Sequence, residues 1–212
     1  MQIATPKPEF ISLARAITEL EQLLQAIQQP LEQPCPNCRH PENVGDPKLC
    51  QWRCPAAPQA LSTDPETHPI EPHVLRVTFE LSKLGLFQPC WSCEGHLDNQ
   101  GNIYRLPQIN FFCANAVYAL MLHEHVDLLH HGGHLHARWQ IALTSLGQKL
   151  GVVYVLQPTV AKDNDAKLNE LQDDLHVIGA DLARHLKVIS EARLASLKME
   201  QATLAAYHGQ RL

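Results

Sequence analysis

No run of lysines and arginines occurs anywhere in the 212 residues, and the formal charge is −5. Both facts argue against a general nucleic-acid binder, which neutralises phosphates with a clustered basic face. No stretch is apolar for long enough to span a bilayer, and Met1 to Phe10 lacks the charged and apolar regions of a secretory leader. The expected compartment is therefore the cytoplasm. The seven cysteines are odd in number and mostly grouped in close pairs, which fits metal ligation in a reducing compartment better than a disulfide framework. A recognisable nucleophile and base constellation is also missing.

What the chain does have is Cys35, Cys38, Cys50 and Cys54, two close pairs in a stretch with almost no hydrophobic periodicity. Two short turns there offer four thiolates, the tetrahedral supply that zinc or an iron–sulfur cluster needs. Metal binding can order a segment too poor in apolar residues to bury a core. Four reduced or paired cysteines without metal is the competing reading. Cys54-Pro55 is similar to the Cys-Pro step of ferredoxin-type cluster runs, which keeps an Fe–S electron-transfer or sensing protein open beside zinc.

Four regions follow from the pattern. In residues 1–30, Phe10, Leu13, Ile17, Leu20, Leu24 and Ile27 recur at spacings of three and four, the seam of an amphipathic helix. Residues 31–72 hold most of the prolines and the cysteine quartet, a Cys/Pro-rich metal-binding strap. Residues 73–158 read as a compact α+β core. Its opening fits strand alternation and helix spacing almost equally, and Pro72 at the start with Gly85 at the end tips it to helix. Strands are expected near Gln88 to Cys93 and Gln108 to Cys113, turning through Asp98-Asn99-Gln100-Gly101-Asn102. A helix over Asn115 to His131 stops at Gly132-Gly133, and a second hairpin joins the alternating Ala137 to Leu143 to the run Val152 to Leu156. The order αββαββ predicts a four-stranded antiparallel sheet carrying two helices on one face. In residues 162–212, Leu168, Leu171, Leu175, Ile178, Leu182 and Ile189 mark one long amphipathic helix or a pair. That seam must pack on the first helix, the open face of the sheet or another subunit, and a coiled coil, a homodimer or a protein contact through the terminal helices is expected.

A second concentration of ligand types is Pro89-Cys90-Trp91-Ser92-Cys93-Glu94-Gly95-His96. Cys90, Cys93 and His96 can surround one metal if the strand ends in a turn, with Cys113 as a fourth ligand from the neighbouring strand. Without Cys113, three ligands leave a position for water, and Glu94 becomes a candidate general base of a zinc hydrolase or deaminase. Cys90 and Cys93 joining a pair from the strap, or simply packing as small hydrophobes, are the other readings. Pro89, Cys90 and Cys93 are similar to the second half of the zinc nucleobase deaminase signature. That family needs His-x-Glu upstream; His68 with Glu71, and His73 with no acid two residues on, do not supply it, so no activity is carried over.

Seven of the thirteen histidines lie between His96 and His136. His123, Asp127, His130 and His131 share the polar face of the central helix, as amphipathicity predicts, whereas His125 falls on the apolar face as a buried neutral ring. Arg138 and Gln140 on one strand and Asn110 on another sit on the polar side of their alternation, an expected surface for an anionic small molecule or a peptide. The expected function is a non-enzymatic, metal-stabilised interaction or ligand-binding module, with zinc as the metal.

Overall fold

The computed structural model describes residues 12–29, 70–144, 153–159 and 167–209. The cysteine quartet at 35, 38, 50 and 54 lies outside them. Helix α1, Leu13–Gln28, starts at Ser12, whose hydroxyl accepts the Arg15 N–H at 3.3 Å. It buries Ile17, Leu20 and Leu23. Helix α2, Pro72–Lys83, opens on a proline whose missing N–H costs nothing in a first turn. It closes before Gly85, where φ is +66°. Helix reading wins over strand there because Val74, Leu75, Val77 and Leu81 are all buried, on a helical rather than an alternating pattern.

Strands β1, Phe87–Cys93, and β4, Gln108–Cys113, pair antiparallel. Between them an arm of two short strands, β2, His96–Leu97, and β3, Ile103–Arg105, forms its own sheet. Asp98 shapes its tip, accepting the N–H groups of Gln100 and Asn102, each at 2.8 Å. Helix α3, Ala116–His131, is capped by Asn115 and stops at Gly132 and Gly133. Strands β5, Trp139–Thr144, and β6, Val153–Pro158, make the second hairpin. The four-stranded sheet runs β1-β4-β6-β5, so the second strand of each αββ half lies inside and the first at an edge.

Alternation sends Ile109, Phe111, Trp139, Ile141, Tyr154 and Leu156 into one core with the helices. Helix α4, Leu168–Gly179, lies on α2, and the long α5, Leu182–Gly209, runs along α1 and α3. The turn between them holds Asp181 at φ +52°. Leu171, Leu175, Ile178 and Leu182 are fully buried within the chain. Of the places expected for this seam, the chain's own core takes these four residues, so a charge at Leu175 or Ile178 would strike that core. Asp174 of α4 is buried too, and its carboxylate accepts the His136 and Ala137 N–H groups at 2.7 and 3.0 Å and Trp139 Nε1–H at 2.9 Å. No helix of the described residues is long and apolar enough to cross a membrane.

Candidate metal centre

The β1 strand ends at Cys93, and Glu94-Gly95 turn the chain into β2. The turn needs glycine: φ at Gly95 is +87°, and a Cβ there would stand 2.6 Å from Leu168 Cδ1 and 2.9 Å from Pro107 Cδ. This tight corner brings His96 back beside Cys93. The Gly95 N–H points at Cys93 Sγ, 3.4 Å away.

The third donor comes from the other side of the fold. Glu71, at the N-terminal cap of α2, is 3% exposed. The ligand atoms of Glu71, Cys93 and His96 all lie within 4.8 Å of one another. Glu71 Oε1 is 3.2 Å from His96 Nε2, close to the ~3.3 Å edge of a tetrahedron with metal–ligand bonds of about 2.0 Å. Among the described residues, no other group of three such donors converges this closely. A buried carboxylate needs a cation or donors around it, and Glu71 has both prospects: its Oε2 accepts the Glu94 N–H at 2.6 Å, leaving Oε1 turned to the histidine. That hydrogen bond orients the carboxylate as a supporting contact orients a metal ligand. His96 is itself stacked on Tyr104, with ring centroids 5.9 Å apart.

Glu94 answers Glu71 in kind. Its Oε2 accepts the His73 N–H at 3.1 Å, so a side chain from the end of β1 caps the first turn of α2. The Glu71 side chain makes no cap of its own. The two acids thus hold each other's segments together, and Gln172 of α4 adds a bond to the Glu94 carbonyl at 3.2 Å. Glu94 is placed as a cap and not inside the donor group. Glu94→Gln keeps an acceptor oxygen but loses the charge at the helix N-terminus. Its expected cost is about 0.5–1 kcal/mol, with metal content unchanged, read by thermal melting and elemental analysis.

The remaining sequence candidates stand apart. Cys90 is the extra residue of a bulge between Pro89 and Trp91, and its Sγ lies 3.4 Å from the Asn110 carbonyl. Cys113 pairs across from Phe87 while Cys93 pairs across from Gln108, so Cys113 sits at the far end of β4, roughly 17 Å along the strand. It is brought to no shared ion with Cys93. Burial pushes the Cys113 thiol up to about 11 and the Cys90 thiol upward as well. Arg138 turns away to Asp127 of α3, 3.3 Å from its carboxylate. Gln140 pairs with Gln157 and Asn110 with Val155, so β6 separates the two and the three expected ligand-binding side chains do not converge.

Glu71 escaped the sequence reading because it lies more than twenty residues upstream, in an acid-proline step that looks like an ordinary helix start. Its one signal is position: an acid just before a first-turn proline is a capping residue, and this one caps nothing. Comparisons of the chain with protein-family models, with curated proteins and with solved structures returned no match.

Proposed function

We propose that the chain is a zinc-binding, non-enzymatic interaction module in which Glu71, Cys93 and His96 hold the metal. The observation that carries this reading is the convergence of a thiol, an imidazole and a carboxylate from two separate segments at a buried corner. A mixed sulfur, nitrogen and oxygen set suits zinc, whereas an iron–sulfur cluster is held by several thiolates, with histidine replacing some of them in one class. Zinc would fasten the β1–β2 corner to the start of α2, adding its binding free energy to folding. The non-enzymatic part rests on Glu94, whose carboxylate is engaged at the helix terminus. A role in contacts with other proteins, or with a second copy, is supported by the distal part of α5, where Met199, Leu204 and Tyr207 are exposed.

Elemental analysis of protein purified without oxygen tests the reading. Cys93→Ser and Glu71→Gln should each lose one zinc equivalent, while Cys90→Ser and Cys113→Ser keep it. Cobalt in the wild-type site should give thiolate-to-metal absorption that Cys93→Ser removes. Full zinc content in both Cys93→Ser and Glu71→Gln would overturn the assignment, whatever metal the quartet at 35–54 carries.

A further inference from the structure

His125 of α3 is buried, at 1% exposure, and its Nε2 stands 3.0 Å from the Ile178 carbonyl in the last turn of α4. A carbonyl only accepts, so Nε2 carries a proton. Its neighbour on α5 is His185, with ring centroids 5.2 Å apart. There the polarity is reversed: Arg184 Nη2 lies 3.2 Å from His185 Nε2. A guanidinium only donates, so this nitrogen is the bare one and the proton is on Nδ1, buried without a hydrogen-bond partner among the described residues. The corner that joins α4 to α5 is fitted closely here, since Gly179 packs without a side chain against the Val77 backbone.

Among the described residues, the charges acting on these rings oppose a proton except one. From α5 come Arg184 and His185, and from the loop after α3 comes His134. From α4 the Ile178 carbonyl meets His125. The acid acting on His185 is Asp181 at the corner, which is paired with Arg184 at 2.9 Å and also feels Arg76 of α2. Burial pushes the His125 imidazole down to about 4, and burial, then Arg184, lowers His185 as well.

We infer that the junction of α3, α4 and α5 is an acid-opened latch, in which His125 and His185 hold the α4–α5 corner closed while neutral and release it when both take up protons. Protonating His185 at Nε2 replaces the Arg184 hydrogen bond by repulsion. Protonating His125 places a cation in an apolar pocket beside it. Opening the corner frees the Ile178 carbonyl and uncovers Ile178 and Leu182, both fully buried when it is closed. The sign follows from linkage: a histidine whose pKa is lower closed than open binds its proton in the open state. Closure is complete above the ordinary histidine value and is lost progressively as pH falls toward 4.

Amide exchange at pH 7 and pH 5, corrected for intrinsic rates, tests this on the full chain. Protection in residues 176–185 should fall about twentyfold at pH 5, while β1, β4 and β6 keep theirs. His125→Gln, whose amide can still donate to the Ile178 carbonyl, should flatten the change. Equal protection at both pH values, or a loss shared by the strands, overturns the latch. Should His125→Gln fail to fold, imidazole titration of the wild-type chain by NMR decides: His125 should titrate near 4, and a midpoint near 6.5 overturns the proposal.

Discussion

Asp174→Ala is expected to cost about 3–5 kcal/mol, the largest loss of any single side chain described above. The carboxylate is fully buried and accepts three N–H groups, two from the backbone of His136 and Ala137 and one from the Trp139 indole. Removing it leaves the buried Trp139 indole N–H and two part-buried backbone N–H groups without their acceptor, and a donor left so carries a desolvation penalty of about 1–3 kcal/mol when buried. For a chain of this size, 4 kcal/mol lowers Tm by roughly 10 °C. Asp174→Asn should recover little, because an amide offers one acceptor oxygen and turns its own donors toward the other N–H groups. Urea unfolding followed by circular dichroism reads both, and a loss below 1 kcal/mol for Asp174→Ala would show that α4 is held to the β5 entry by its apolar face alone.

Gly95→Ala comes second, at about 2–5 kcal/mol. Two costs combine: a side chain at φ +87°, worth about 1–2 kcal/mol, and overpacking against Leu168 and Pro107, worth about 1–3. The leucine tip can swing aside, but the proline ring cannot. Gly101→Ala separates the two costs, because its φ is +85° yet nothing stands within 4 Å of the added Cβ. It should cost only the backbone part. If the two variants melt alike, Gly95 is needed for its dihedral and not for the close approach. If the corner holds zinc, Gly95→Ala should also weaken zinc affinity, since it alters the geometry linking Cys93 to His96, and Gly101→Ala should not.

The αββαββ order is legible in the sequence because its signals are local. Pro72 and Gly85 bracket α2, Asn115 and Gly132-Gly133 bracket α3, and the strands alternate between them. The arm of β2 and β3 is not legible, since strands of two and three residues are too short for a period to show. Strand order also escapes, as local alternation carries no information on which strands lie inside. At the site, Cys93 and His96 are readable from spacing and the glycine between them. Cys90 misleads because Cys-x2-Cys presumes both side chains reach one side, and along this strand a bulge at Cys90 decides otherwise. His125 is readable as a buried ring from the helical pattern alone, but its pairing with His185 joins residues sixty apart and depends on how α5 crosses α3.

The sheet order leaves two flanks, and they are unequally defended. On β1, Pro89 offers no N–H and the bulge at Cys90 bends the ladder, so a foreign strand laid along that edge would meet both a missing donor and a kink. On the opposite flank, β5 pairs with β6 in unbroken register and carries no proline, and Leu143 near its end is 68% exposed. Among the described residues, an added strand would therefore meet fewer obstacles on the β5 flank than on the β1 flank. Leu143→Lys would give β5 the charged guard that such edges use to stay single, and it touches neither the Glu71–Cys93–His96 corner nor the histidine junction.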